Sequence, residues 1–300
     1  MKRISYFIMT LLLLVSAAGC VDNEFDNRIF DNTAQNTVTA VMEQSGTRTS
    51  LGQLSDDAYR PVWKAEDHLV VIPAGADAPS LYTLVKGEGT SEGVFSGTGK
   101  SSGYVAYYPY EGFVGFKGKT IDVMLPSEQY YEEGSFGSGA YPMMAVSESE
   151  AFQFRNLCSI LKVSLKGDHK VSSIVFTSAS DDVKVSGAAT VRTDYDTAPS
   201  LKMTSDALNE VRLICEGVAL ESAKAKDFYL VIPAQTYRDG FTLQIIGPDG
   251  VMTKSTDEDI VMERSQLRAI PVFTYEPVAA VKPSDTLEGA GTEDSPFLIS

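Results

Sequence analysis

Residues 152–178, FQFRNLCSILKVSLKGDHKVSSIVFTS, contain two strand-length apolar runs separated by the dipeptide Gly167-Asp168. Leucine, isoleucine, valine and phenylalanine dominate both runs, and such residues fit a pleated, half-buried strand. Glycine and aspartate favour a tight turn between strands. The stretch therefore predicts two β-strands joined by a turn. The residues expected in the core are Leu161, Val163, Ile174 and Phe176.

The same pattern recurs along most of the chain. Strand-like runs such as TVTAVME, DHLVVIPA, GYVAYYPY, EVRLICEGV and DFYLVIPA alternate with clusters of Gly, Ser and Asp. No segment keeps the i, i+3, i+4, i+7 apolar spacing of a helix beyond a turn or two, so helix content should lie well below the usual 30–35%. The pattern predicts an all-β protein built of antiparallel β-sandwiches. Further core residues are expected at Val70, Ile72, Leu230 and Ile232.

Two matching tripeptides suggest that the chain contains two similar halves. Residues 72–74 and residues 232–234 both spell Ile-Pro-Ala after an apolar run, and proline ends ladder pairing because it has no N–H. The predicted divisions are a lipoprotein signal peptide (1–19), an acidic tether (20–36), an N-terminal β-sandwich (37–148), a C-terminal β-sandwich (149–276), and a linker with the start of a further module (277–300).

The first twenty residues, MKRISYFIMTLLLLVSAAGC, predict an export leader that ends before Cys20. Lys2 and Arg3 precede an apolar stretch at residues 7–15 that is too short to span a bilayer. The ending Ala-Ala-Gly-Cys resembles the lipobox of bacterial lipoproteins, in which the cysteine is acylated. We therefore expect lipid attachment at Cys20, which would make the membrane a partner and the outer membrane surface the location. The alternative is an ordinary signal peptide in which Cys20 occurs by chance.

Composition excludes one class of partner. The formal net charge of the 300-residue chain is -15, and so acidic a surface repels nucleic acid. Besides Cys20, the chain has Cys158 and Cys215, each within an apolar run. In an oxidising compartment they could form a disulfide, or they could be two buried small hydrophobes.

Motifs for catalysis or metal binding are not found in the sequence. The two histidines lie in no H-x-x-x-H or H-E-x-x-H arrangement, and there is no G-x-S-x-G elbow. GTGKSSG at residues 97–103 ends like a phosphate loop, but it leads into a strand instead of the helix that such a loop needs, so we predict a hairpin connection. We expect a non-enzymatic protein without a cofactor or metal.

A series of motifs in a fixed order resembles the fimbrillin-like family of Bacteroidetes surface lipoproteins, which comprises fimbrial subunits and their accessory or tip proteins. The resemblance covers residues 1–276. The motifs are the lipobox, the acidic tether, TVTAVME, GTRTSL, WKAED leading into LVVIP, YYPY, LPSEQYYEEGSFGSGAYPMMA, FRNLCSILKVSLKG and IVFTS followed by Gly187-Ala-Ala.

The resemblance implies two tandem transthyretin-like β-sandwiches and assembly by strand exchange with other fimbrial subunits. In polymerising members an Arg-specific protease cuts the precursor, the first strand leaves, and a strand of a neighbouring subunit replaces it. Arg48 is the main candidate for this cut, because it follows TVTAVME. Arg28 is the weaker one, because a cut there would free the lipid without opening a groove. An unprocessed loop arginine is the alternative for Arg48.

The C-terminal residues differ from those of a simple stalk subunit. A linker is followed by GAGTEDSPFLI, which resembles the start of a further β-rich module and suits a tip or accessory adhesin with a host or bacterial surface ligand. The rival interpretation is a glycan-binding surface lipoprotein of a polysaccharide-uptake system. Sugar binding would need exposed aromatic rings, whereas Trp63 is expected in the core beside LVVIP.

Overall fold

The structure, a computed structural model, describes residues 35–43, 61–76, 78–98 and 103–278. Over these residues the chain forms 24 strands, one short 3-10 helix at Tyr110–Gly112, and no α-helix. In chain order the strands are β1 (Gln35–Val41), β2 (His68–Pro73), β3 (Ser80–Lys86), β4 (Glu92–Thr98), β5 (Tyr104–Tyr108), β6 (Phe113–Lys117), β7 (Thr120–Leu125), β8 (Glu128–Glu132), β9 (Ser135–Phe136), β10 (Met143–Ser147), β11 (Ala151–Gln153), β12 (Arg155–Asn156), β13 (Cys158–Lys166), β14 (Lys170–Ser178), β15 (Gly187–Arg192), β16 (Leu201–Met203), β17 (Glu210–Ala219), β18 (Lys226–Pro233), β19 (Thr236–Tyr237), β20 (Phe241–Gly247), β21 (Gly250–Thr256), β22 (Ile260–Val261), β23 (Leu267–Ala269) and β24 (Phe273–Thr274). The all-β prediction is confirmed.

The predicted core is also confirmed, because all eight residues expected there are buried. The two prolines also lie at strand ends as predicted, since β2 ends at Pro73 and β18 ends at Pro233. Cys158 and Cys215 are buried and unpaired, so of the two alternatives the small-hydrophobe interpretation is right. Burial raises the pKa of the Cys215 thiol to about 12 and also raises that of Cys158.

An eight-stranded sheet forms most of the first half. Its order is β11-β1-β4-β3-β2-β5-β10-β12, and all its pairs are antiparallel except the parallel pair of β1 with β11. The two end strands, β11 and β12, are separated in sequence by Phe154 alone, so the sheet curls around its own apolar face. Trp63, Phe95 and Phe152 lie in the core that this curl encloses.

Two sheets pack face to face in the second half. One contains β18, β13, β23 and β24, and the other has the order β21-β20-β14-β17-β8-β9. Their inward side chains form one continuous core, to which Leu161 and Leu230 contribute from the first sheet and Ile174 and Leu213 from the second. Seven of the nine residues of β13 are buried, among them the polar Ser159 and Ser164, so both faces of this strand are covered.

A third hydrophobic core lies between the two halves and is formed by side chains from several sheets. It combines residues of β2, β5, β7, β13, β15 and β18. Here β7 pairs with β15, and β8 pairs in parallel with β17, so strands from opposite sides of residue 148 share sheets. The domain limits remain a prediction, but hydrogen-bonded ladders cross the boundary between the two halves.

One local prediction is wrong. The glycine-rich residues 97–103 do lead into a strand, β5, as expected, but they do not connect a hairpin. β4 pairs with β1 and β3, whereas β5 pairs with β2 and β10. The two strands are therefore not neighbours, because β3 and β2 lie between them in the sheet order.

Candidate functional site

The first strand, β1, has the alternating pattern of a strand with one buried face. Val38, Ala40 and Met42 point into the core and are at most 4% exposed, whereas Thr37 and Thr39 face outward. The β-branched valine and threonine residues favour the extended backbone. Burial of the three apolar side chains supplies the main force that holds this strand in the sheet.

Both edges of β1 are hydrogen-bonded. Along its whole length the strand pairs with β4, and its second half pairs with β11. Beyond the β4 ladder, the N–H of Thr39 donates to the carbonyl of Glu150 (2.8 Å), and the N–H of Phe154 donates to the carbonyl of Val41 (2.8 Å). We call the space between β4 and β11 that this strand fills the first-strand slot. An empty slot would leave two unpaired strand edges and an apolar surface.

Trp63 forms the floor of the slot. It is fully buried, and its indole N–H donates to the carbonyl of Ala40 at 3.3 Å. Its ring makes edge-on contacts with three aromatic neighbours, Phe95, Tyr108 and Phe154, at centroid distances of 4.9, 5.4 and 5.8 Å. The prediction that Trp63 belongs to the core is confirmed, and this ring offers no platform for a sugar.

A turn closed by the buried side chain of Asp67 follows Trp63. The carboxylate of Asp67 accepts the backbone N–H of Lys64 (2.7 Å) and the hydroxyl of Tyr108 (2.8 Å). Burial raises the pKa of the Asp67 carboxyl, although both hydrogen bonds act in the opposite direction. The pKa of the Tyr108 hydroxyl is also raised, mainly by burial and in addition by the negative charge of Asp67. The WKAED motif thus fixes the turn between Trp63 and β2.

Glu43, directly after β1, is held by residues from two other parts of the chain. Its carboxylate accepts hydrogen bonds from both terminal nitrogens of Arg264, from the guanidinium of Arg155 (3.3 Å) and from the backbone N–H of Asn156 (2.9 Å). The Asn156 side chain also donates to the Glu43 carbonyl (3.3 Å) and to Ser265 (2.6 Å). We call these five residues the Glu43 clamp.

The site residues predicted from the sequence, Cys20, Arg28 and Arg48, are outside the described residues. Sequence reasoning did not find the Glu43 clamp, because Arg264 is 221 positions from Glu43 and no local pattern marks the pair. The site is thus a strand, its slot and a clamp, and its chemistry is main-chain hydrogen bonding with apolar packing.

The described residues contain neither a metal-binding cluster nor a membrane-spanning helix. No group of three or more His, Cys, Asp or Glu side chains there could hold a metal ion. Within those same ranges, no helix is long and apolar enough to cross a membrane.

The fold has counterparts among solved structures. A crystal structure of a proposed cell adhesion protein from Bacteroides ovatus aligns with a TM-score of 0.51 and 12% identity, over 80% of this chain and 91% of that one. The two chains share a fold. The predicted resemblance is thereby confirmed at the level of the fold.

Other solved structures are more distant. A proposed cell adhesion protein from Bacteroides uniformis aligns with a TM-score of 0.48 and 16% identity, over 79% of this chain and 94% of that one. A fimbrial protein from Bacteroides ovatus aligns with a TM-score of 0.37 and 12% identity, over 87% of this chain and 54% of that one. No protein-family model matches the chain, and no curated protein matches it.

Proposed function

We propose that this protein is a non-enzymatic, fimbrillin-like subunit of the cell surface that acts in fimbrial assembly and cell adhesion. Subunits would join by exchange of β-strands. The observation that carries the proposal is the position of β1. It is the first described strand, it lies between two hydrogen-bonded neighbours, and Val38 and Ala40, with Met42 just after the strand, place three side chains in an apolar core.

The covalent connection of β1 makes its release feasible. Residues 44–60 alone join the clamped end of this strand to the rest of the fold, and they contain Arg48. A cut after Arg48 would leave β1 held only by noncovalent contacts. A cut after Arg28, which precedes β1, would detach the lipid and leave the slot filled.

An empty slot would accept a strand from another subunit. The incoming strand would restore the main-chain hydrogen bonds to β4 and β11 and would place alternate side chains in the core. Acylation of Cys20 would hold the uncut chain at the outer membrane. The shared fold with a proposed adhesion protein supports this location and role as an analogy of fold.

N-terminal sequencing of the protein from assembled surface fibres tests the proposal. We expect a mature chain that begins at Thr49, and we expect that Arg48→Ala abolishes both the cut and the incorporation into fibres. Arg60→Ala is the matched control, because Arg60 is the other basic residue of this segment and is followed by Pro61, which trypsin-like proteases do not accept. Fibres built from chains that still begin at Cys20 would contradict strand release.

A further inference from the structure

We infer that the first-strand slot selects its occupant by size, and that it accepts a strand with glycine or alanine at one position and larger apolar residues two positions to either side. This inference rests on the proposed strand exchange and names the kind of strand that can take part in it. It follows from the residues that surround Ala40.

Ala40 occupies the narrowest point of the slot. It is fully buried, lies opposite Gly93 of β4 and is paired on its other side with Phe152 of β11. Opposite residues of an antiparallel pair project to the same face, so Ala40 and Gly93 both face Trp63. The space above this ring is therefore shared by a methyl group and a hydrogen atom.

The surroundings of Gly93 show how little space is left above the Trp63 ring. A Cβ atom at this position would lie 2.8 Å from Cδ1 of Trp63, 2.8 Å from Cε2 of Phe95 and 2.9 Å from Cδ1 of Leu84. Real Cβ atoms do not approach other heavy atoms so closely. A side chain larger than methyl at position 40 would need the same space.

Packing and a hydrogen bond hold Trp63 in place. Its ring contacts Phe95, Tyr108 and Phe154, and its N–H is bonded to the carbonyl of residue 40 in the strand itself. Close-packed interiors resist added methylene groups, which force side chains out of their rotamers. The Trp63 N–H bonds to a main-chain carbonyl, so a strand of any sequence can accept this hydrogen bond. The position of the Trp63 ring, in contrast, limits the size of the side chain at position 40.

The sites on either side of Ala40 are larger. Val38 lies opposite Phe95, and Met42 completes the buried face beyond the end of the strand. Thr37 and Thr39 face outward and are exposed, so the slot does not select at these positions. The sequence that fits is therefore large–any–small–any–large, with the small residue opposite Gly93.

The first test uses the intact full chain and does not depend on strand exchange. Ala40→Leu should lower the thermal unfolding midpoint by about 3–10 °C, because it overfills the site above Trp63. Thr39→Leu, which makes a similar addition on the outward face, should shift the midpoint by no more than about 2 °C. In a Trp63→Leu background, Ala40→Leu should cause no further loss. An Ala40→Leu chain as stable as Thr39→Leu would overturn the inference.

The second test adds peptides to a chain that carries an engineered protease site within residues 44–60. After cutting, labelled peptides of residues 35–43 compete for the slot. The natural peptide and its Thr39→Leu form should enter, and the Ala40→Leu form should enter at least about tenfold less. Equal entry of the Ala40→Leu peptide would overturn the size rule. If none enters while the intact-chain results hold, the size rule stands and the proposed strand exchange is wrong.

Discussion

The carboxylate of Glu43 is bound by both terminal nitrogens of Arg264, a residue 221 positions further along the chain. Such two-point pairing of arginine with a carboxylate fixes both groups in orientation. Only 15% of the Glu43 side chain and 25% of the Arg264 side chain are exposed. The end of the first strand is thereby attached to the second half of the protein, so the clamp must open whenever β1 leaves.

Glu43→Gln should destabilise the chain by about 1–2 kcal/mol, because it weakens several charge-assisted hydrogen bonds and leaves two guanidinium groups without a counter-charge. Chemical denaturation measures the effect. Glu150→Gln is the matched control, since Glu150 is exposed and contacts β1 through its backbone carbonyl, so its substitution should cost less than about 0.5 kcal/mol. Equal effects of the two substitutions would show that the clamp does not hold the strand.

Gln129 is expected to be a structural residue of the joint between the two halves. Its buried amide donates to the carbonyl of Val231 (2.7 Å) and accepts the N–H of the same residue (2.9 Å), which satisfies the backbone of β18. Gln129→Ala leaves both groups unpaired and should lower the free energy of unfolding by about 2–4 kcal/mol. Glu128→Ala, at the exposed neighbouring position, should have little effect. A tolerated Gln129→Ala would mean that water replaces the amide.

Asp67 should make stability depend on pH. Because burial raises its pKa in the folded protein, the carboxyl favours folding when protonated. That contribution is full below about pH 3.9, the unfolded value, and is lost as the pH rises through the raised folded pKa. The stability of Asp67→Asn relative to the natural chain should therefore increase over this window and then level off. Denaturation of both proteins at a series of pH values measures the difference, and a constant difference would contradict the raised pKa.

Cys20→Ala should move the protein from the membrane fraction to the soluble exported fraction. Several acyl chains hold a protein on a membrane far more firmly than one, at about 0.8 kcal/mol for each buried CH₂ group. The variant should fold normally, because position 20 lies before β1. Mass spectrometry of the natural protein without acyl groups, together with membrane retention of the variant, would refute the anchor.

Local sequence patterns determined the strands and their buried faces. The run that becomes β13 and the run that becomes β14 were recognisable because apolar, β-branched residues stand between turn-forming ones, and this preference acts over a few residues. Pro73 and Pro233 marked strand ends for an equally local reason, the missing N–H. The position of Trp63 in the core followed from its size and its apolar neighbours.

Only the tertiary structure decided which strands are partners. β13 and β14 follow each other through a tight turn, yet they lie in opposite sheets, because each pairs with strands that come later in the chain. The pairing of Glu43 with Arg264, of Gln129 with Val231 and of Ala40 with Gly93 joins residues far apart in sequence. Such contacts depend on how whole sheets bury their faces against one another, and no short-range pattern encodes that arrangement. The sequence thus predicted a first strand, whereas the size and closure of the slot that holds it became visible only in the folded chain.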